Sequence, residues 1–275
     1  MEFIMPLKSA AFALSLLLSS TCLLAASPSV DEIIHRTNQM AYYQANDGRA
    51  KVKMTIHDAQ NRTRTREFII LRRDTPRSDS IEGKSYLGEQ KLYVYFNRPA
   101  DVNKMVFMVH KKILADDDRW LYLPALDLVK RIASSDKRTS FVGSNFLYED
   151  VSGRRLTDDQ HALIGQDDNY YIIENTPINK ATVEFSKYIM YIHKTSYLPI
   201  QTEYYDKQGI KYKTYTSLAV DTINGHPTIT KSEARNLKTN SHTLMEYTDV
   251  QYDLDLPEDI FTERYLRKAP RKYLR

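Results

Sequence analysis

Residues 116–150 read DDDRWLYLPALDLVKRIASSDKRTSFVGSNFLYED, and this stretch decides the fold of the chain. It contains Trp120, the only tryptophan in the sequence. Alternating side chains predict a short strand over residues 119–123, which Pro124 ends, and residues 128–132 read as its antiparallel partner. Residues 134–140 are polar and rich in turn formers. The stretch therefore predicts a strand pair followed by a long loop.

The end of this stretch, FVGSNFLYED at residues 141–150, combines aromatic side chains with one glycine and two adjacent acids. Composition leaves two interpretations open: a well-packed loop with a satisfied polar rim, or an ordered rim loop that gates cargo or contacts a membrane partner. Neighbours on a strand point to opposite faces, so the acids are interpreted as loop caps or as partners of Arg154 and Arg155. The candidate rim residues are Phe141, Gly143, Ser144, Phe146, Tyr148, Glu149 and Asp150.

The runs WLYLPAL (120–126), KRI (130–132) and SFVGSNFLYED (140–150) resemble the LolA-like periplasmic carriers of the outer-membrane lipoprotein-sorting family. The nearest branch is the larger one associated with RND-type lipid exporters, with the pattern W-x-Y-x-P, R-R-I and S-F-x-G-S-D-F-x-Y-E-D. Asn145 stands where that pattern usually has an acid, so a role for the acid does not transfer. The resemblance implies a half-barrel with a helix plug and a non-enzymatic carrier. It also implies an inner-membrane RND-type exporter as partner.

The composition narrows the class of protein. The 275 residues include 20 tyrosines and only 8 glycines, which favours half-buried strands over a glycine-rich nucleotide fold. The net charge of +4 is too weak and too evenly spread to indicate a nucleic-acid partner, although it permits a faint attraction to anionic lipid surfaces.

Residues 1–26 read as a cleavable secretory signal. Lys8 supplies the positive start, residues 10–24 are apolar, and Leu24 is followed by two alanines. This predicts a periplasmic protein with one mature domain over residues 27–275. A retained membrane anchor and lipidation of Cys22, the single cysteine, remain alternatives. Cleavage would remove Cys22 and leave a mature chain without a thiol.

The mature chain reads as one helix followed by strands. Residues 29–46 carry an apolar stripe at helical spacing, and Ser29 and Glu32 have the spacing of a capping box. After Gly48 the period changes to two, and about eleven strands follow with short polar turns between them. A sheet this long must curl. The pattern predicts a mainly β fold: a single curled antiparallel sheet forming an incomplete β-barrel, with the helix and short helices covering its concave face.

The sequence contains no recognisable arrangement of catalytic or metal-binding residues. The seven histidines are far apart, and no metal-ligand cluster, nucleophile elbow or phosphate loop occurs. The triplet at residues 116–118 lacks the glycine and the later glutamate of a calcium loop. We therefore expect no catalytic residue, no metal, no cofactor and no enzyme activity.

These observations predict a monomeric carrier that binds a lipid or acylated lipoprotein in an apolar cavity. The alternative is a secreted envelope scaffold with a filled core, acting as an accessory subunit of an RND-type exporter. An integral outer-membrane barrel is disfavoured because residues 62–67 are charged or polar on both faces. The candidate cavity residues are Val52, Met54, Ile56, Phe68, Ile70, Val94, Phe96, Phe107, Val109, Trp120 and Tyr122.

Overall fold

The computed structural model of the protein describes residues 27–75, 89–113 and 115–275. The predicted signal over residues 1–26, with Cys22, lies outside the described residues. The helices are α1 (Val30–Tyr42), α2 (Tyr148–Ser152) and α3 (Arg264–Arg267). The strands are β1 (Asp47–His57), β2 (Thr63–Thr75), β3 (Glu89–Arg98), β4 (Val106–Lys111), β5 (Asp118–Leu123), β6 (Leu128–Arg131), β7 (Asp159–Gln166), β8 (Tyr170–Pro177), β9 (Phe185–His193), β10 (Pro199–Asp206), β11 (Lys211–Ile223), β12 (His226–Asn236) and β13 (Ser241–Tyr252).

All of these strands belong to one antiparallel sheet in the order β6-β5-β4-β3-β2-β1-β13-β12-β11-β10-β9-β8-β7. The pairing of β1 with β13 joins the two halves of the chain, and β6 and β7 are the open edges. The mainly β, unclosed sheet is confirmed, but it has 13 strands in the described residues rather than about eleven. The two edge strands are the least regular of the sheet, because β6 has only 4 residues and β7 shows no alternating burial.

The N-terminal helix begins where the capping pattern predicts. The Ser29 hydroxyl accepts a hydrogen bond from the Glu32 amide at 3.2 Å. Ile33 and Ile34 are buried and pack against apolar side chains of β8 and β9. The helix ends at Tyr42, earlier than the predicted residue 46.

The described residues form four clusters of buried apolar side chains, and the two largest lie on opposite faces of the sheet. We call the face that carries α1 and residues 132–152 the inner face, and the other the outer face. On the inner face, residues 132–152, here named the inner wedge, pack against β1–β4 through Ile132, Phe141 and Tyr148. On the outer face, Ile260, Phe261 and Leu266 cover side chains that alternate with those of the inner core.

The sequence predicts that the short helices cover the concave, inner face. Helix α2 lies on that face, but α3 of the C-terminal segment lies on the outer face. The basic end of this segment, residues 268–275, is held against the sheet by hydrogen bonds. The Arg49 guanidinium donates to the Tyr273 carbonyl at 3.0 Å. At the start of the segment, the Asp47 carboxylate accepts from the amides of Leu254 and Leu256, both at 2.7 Å. Among the described residues, no helix has the length and apolar character needed to cross a bilayer.

Candidate functional site

A cavity of about 410 Å³ lies between α1 and the inner face of the sheet. Side chains from nine strands line it, from β3 on one side to β7 on the other. Strands that far apart in the sheet order can face one cavity only if the sheet curls around it. The volume falls within the usual range for small-molecule sites, about 300–1,000 Å³.

The lining is mainly apolar and aromatic. Helix α1 contributes Ile34, Met40 and Ala41, which form the lid of the cavity. Phe146 and Val151 of the inner wedge form one wall. The second half of the sheet supplies most of the remainder, namely Tyr188, Met190, Tyr204, Tyr215, Ile229, Met245 and Tyr247.

The predicted cavity residues lie in three places. Phe68 and Ile70 of β2 line the cavity. Trp120 and Tyr122 belong to the outer face and do not reach it. The remaining seven are buried in the inner core beside the cavity: Val52, Met54, Ile56, Val94, Phe96, Phe107 and Val109.

The inner wedge explains this division. The Phe141 ring is fully buried, with ring-centroid distances of 6.0 Å to Phe68, 5.9 Å to Phe96 and 5.7 Å to Phe107. The Tyr148 ring lies tilted against Phe107 in the same cluster, with a ring-centroid distance of 4.9 Å. These rings occupy the space over β1–β4, so the open cavity is displaced toward β9–β13.

The candidate rim residues lie inside the molecule for the most part. Phe141, Ser144, Phe146, Tyr148 and Glu149 are buried, whereas Gly143 is exposed. The Ser144 amide donates to the Phe141 carbonyl at 3.0 Å, which closes a tight turn, and residues from Tyr148 onward form α2. The segment is therefore a turn and a short helix placed between the core and the cavity.

A buried cluster of charges holds α2 in place. Glu149 is 2% exposed and contacts three cations: Lys137 at 2.9 Å, Arg154 at 3.4 Å and Arg138. Burial alone would raise the pKa of Glu149, but the charges of these cations outweigh it and lower that pKa to about 2. Arg154 also binds the buried Asp159 carboxylate through two hydrogen bonds of 2.7 and 2.8 Å.

The acids at residues 149 and 150 differ in their partners. Glu149 pairs with Arg154, as the sequence suggested, but Arg155 instead lies 3.6 Å from Asp116. Asp150 lines the cavity and accepts from the Leu147 amide at 2.6 Å, which caps α2. It also accepts from the Tyr215 hydroxyl. Burial raises the pKa of Tyr215 well above its usual value, so this hydroxyl stays a donor.

Asn145 joins the inner wedge to β13. Its amide nitrogen donates to the Ser241 hydroxyl at 2.8 Å, and its amide oxygen accepts from the Thr243 hydroxyl at 2.8 Å. A carboxylate here would accept from both hydroxyls but donate to neither. In this chain the Asn145 amide therefore fixes the inner wedge to β13.

Sequence reasoning missed the tyrosines and methionines of β9–β13. The available signal was the period-two placement of large side chains in the second half, for example Tyr188 and Met190. Among the described residues, no three His, Cys, Asp or Glu side chains are grouped so that they could hold a metal ion.

The chain is similar to known proteins in sequence and in fold. A family model described as “Uncharacterized protein” matches residues 88–268, about two thirds of the chain. A DUF1329 family protein from Desulfovibrio piger is 26% identical, with a TM-score of 0.75 over 86% of this chain and 97% of that one. A putative outer membrane lipoprotein-sorting protein domain from Vibrio parahaemolyticus is also 26% identical, with a TM-score of 0.73 over 87% of this chain and 98% of that one.

The chain belongs to the LolA-like family. Its fold matches a LolA superfamily protein from Nitrosomonas europaea with a TM-score of 0.65 and 19% identity, over 87% of this chain and 100% of that chain. No curated protein sequence matches the chain. The LolA-like sheet thus has the carrier-type architecture of a lipoprotein-sorting fold, with its cavity under α1.

Proposed function

We propose that this LolA-like protein is a non-enzymatic periplasmic carrier that binds a lipid or acylated molecule and moves it toward the outer membrane. The observation that carries the proposal is the apolar cavity of about 410 Å³ under α1. The name of the Vibrio parahaemolyticus relative, a putative outer membrane lipoprotein-sorting protein domain, supports the same role. Export through residues 1–26 and a mature domain over residues 27–275 are part of the proposal.

Burial of an acyl chain supplies enough free energy for such a carrier. Each CH₂ group removed from water contributes about 0.8 kcal/mol, so a chain of about ten carbons gains on the order of 8 kcal/mol before the costs of association. No catalytic group is needed for binding or release. The tyrosine hydroxyls and Asp150 in the cavity wall offer hydrogen-bonding contacts to a polar group on the cargo.

The alternative is an envelope scaffold with a filled core. The inner wedge does fill the space over β1–β4, but the space over β9–β13 is open, which favours the carrier. An inner-membrane RND-type exporter is the proposed donor, and it rests on the sequence resemblance alone. Crosslinking in cells that hold such an exporter would test this partner separately from cargo binding.

Two measurements test cargo binding. Lipid extraction of the natively purified protein, followed by mass spectrometry, should release a stoichiometric acylated molecule. In addition, Ala41→Phe should fill part of the cavity and weaken binding of a fluorescent fatty acid several-fold.

The matched control is Ala219→Phe, which places the same ring on the exposed surface of β11 and should leave affinity unchanged. An empty protein whose weak fatty-acid binding is the same in both variants would favour the scaffold.

A further inference from the structure

A second cavity, of about 380 Å³, lies near the outer-face core and has a strongly basic lining. Its lining side chains include four cations, Lys104, Arg267, Lys268 and Arg271, and no acid. We propose that this basic pocket binds the anionic headgroup of a membrane lipid, so that the protein docks on an anionic membrane surface. The assignment is independent of the cargo cavity.

The fold brings these cations together from distant parts of the chain. Lys104 belongs to the turn between β3 and β4, and the other three follow or belong to α3. Residues 264–275 carry six Arg or Lys and no acid. Like charges repel, and an anion bound at this concave site would relieve the repulsion among these cations.

The basic segment is held against the sheet. Leu266 is 1% exposed within the outer-face core, and the Tyr93 hydroxyl donates to the Tyr265 carbonyl at 2.7 Å. Arg267 donates to the Asp127 carboxylate at 3.0 Å, so one acid next to the pocket offsets one of its four charges. The pocket therefore keeps a positive excess in a fixed position.

An apolar hairpin tip stands beside the pocket. Pro124 lines the pocket, Leu126 in the connection from β5 to β6 is 70% exposed, and Leu128 at the start of β6 is 46% exposed. Leu126 has the largest exposed fraction of any large hydrophobic side chain in the described residues. Exposed leucines next to cations match a lipid interface, where the cations meet phosphate and the leucines enter the acyl boundary.

This arrangement leaves the cargo cavity free. The basic pocket includes Tyr95, Tyr122 and Leu266 of the outer-face cluster, whereas the cavity under α1 opens on the inner face. A protein docked through the hairpin tip keeps its cavity away from the contacted headgroups. The recognised chemistry is a phosphate-bearing anion, and membrane lipid is the source to which the adjacent leucines point.

The test uses co-sedimentation with phosphatidylcholine vesicles, with and without phosphatidylglycerol. We expect the protein to bind the anionic vesicles at least about tenfold more tightly, since each surface cation strengthens such binding roughly fivefold. The variant Lys104→Gln, Arg267→Gln, Lys268→Gln and Arg271→Gln should lose this preference. The control variant Lys53→Gln, Arg62→Gln, Lys180→Gln and Lys207→Gln removes the same charge from exposed positions elsewhere and should retain it.

A second pair of variants tests the leucines. Leu126→Ser with Leu128→Ser should weaken vesicle binding, whereas Leu218→Ser with Val220→Ser, at 48% and 41% exposure on β11, should not. Melting temperatures establish that each variant is folded.

Three outcomes would overturn membrane docking. One is equal binding to neutral and anionic vesicles, and another is equal loss in the two charge variants. The third is tight binding of glycerol phosphate in solution with no vesicle binding, which would assign the pocket to a free phosphate compound. An absence of vesicle binding together with intact fatty-acid binding would leave the carrier proposal standing.

Discussion

At the scale of single residues, the turn inside the inner wedge depends on Gly143. Its φ is +79°, and the preceding Val142 has a φ of +51°, so two successive residues occupy the left-handed region. A Cβ at residue 143 would meet only the Arg64 guanidinium, at 3.9 Å, which leaves conformational strain as the cost of substitution. Glycine is favoured at this position because of its backbone conformation, and not because a side chain would lack space.

We therefore expect Gly143→Val to lower the free energy of unfolding by about 1–3 kcal/mol. The control is Gly165→Val in β7, where φ is not positive and the nearest side-chain atom lies 3.6 Å from the new Cβ. Urea unfolding of both variants checks this. If the fatty-acid affinity of folded Gly143→Val falls as well, the turn also shapes the cavity wall; equal stability of the two variants would contradict the strain argument.

Phe68 and Ile69 are neighbours on β2 that face different cores. Both are buried: Phe68 is 2% exposed on the inner face, and Ile69 is 1% exposed under the C-terminal segment. Truncation of either to alanine should cost about 2–5 kcal/mol. Only Phe68→Ala should weaken fluorescent fatty-acid binding, because only Phe68 lines the cavity. Equal affinities for the two variants would argue against this cavity as the binding site.

Asp74 gives a pH dependence of unusual sign. Burial raises its pKa from 3.8 to about 6, although Arg72 and a 2.8 Å hydrogen bond from Gln90 act in the other direction. A raised carboxyl pKa makes the stabilising contribution complete below pH 3.8 and removes it as the pH rises through 6.

We expect Asp74→Asn to be more stable than the parent at pH 7 by about 2 kcal/mol, with a difference that vanishes near pH 4. Thermal unfolding at both pH values measures this. Asp101→Asn, whose carboxylate is 61% exposed, serves as the control and should change little at either pH. A destabilised Asp74→Asn at pH 7 would show that the Arg72 contact dominates.

At the scale of elements, α2 is held by the charge cluster around Glu149 more than by its own length. A helix of 5 residues has no independent stability, and its position follows from Tyr148 packing and from the three cations on Glu149. The pKa of Glu149, about 2, lies below the ordinary 4.5. Its stabilising contribution is therefore fully present above pH 4.5 and is lost as the pH falls toward 2.

Glu149→Gln should cost about 3 kcal/mol at pH 7, because three cations lose their buried counter-charge, and the difference from the parent should shrink near pH 3. The control is Glu184→Gln, which also removes an Arg138 contact but whose side chain is 47% exposed, so its cost should stay below about 1 kcal/mol. Denaturant titrations across pH test both. A pH-independent loss for Glu149→Gln would mean that shape, and not charge, holds α2.

At the scale of the whole molecule, the sheet is covered on both faces by segments far apart in the chain. Helix α1 and the inner wedge cover the inner face, and residues 254–274 cover the outer face. Trp120, the only tryptophan, is 5% exposed beneath the outer cover and reports on it.

Removal of residues 257–275 should expose Ile69, Leu71 and Trp120 together. We expect a loss of several kcal/mol in stability, a shift of tryptophan emission to longer wavelength, and new binding of a hydrophobic dye. Removal of residues 27–42 is the matched change on the inner face, and it should leave the tryptophan emission of the folded fraction unchanged. Unaltered emission after the C-terminal truncation would contradict the assigned cover.

The sequence by itself determined the elements of this protein. The period-two runs, the polar turns and the Ser29 cap are local properties of neighbouring residues, and they predicted an antiparallel curled sheet with one amphipathic helix. The motif in residues 116–150 also indicated the LolA-like family. Local periodicity separates two faces of a strand, but it does not say which face is enclosed.

Only the tertiary structure decided where the cavity lies. Whether space remains above a strand depends on side chains that arrive from distant positions, as when Asn145 docks on Thr243, 98 residues away. Phe141 and Tyr148 fill the space over β1–β4, whereas a cavity remains under α1 at β9–β13, with Phe146 of the inner wedge at its wall. Trp120 lies on the outer face, and it is buried there because the C-terminal segment covers it. A cavity is a difference between enclosed volume and packed side chains, and that difference exists only once the whole chain has folded.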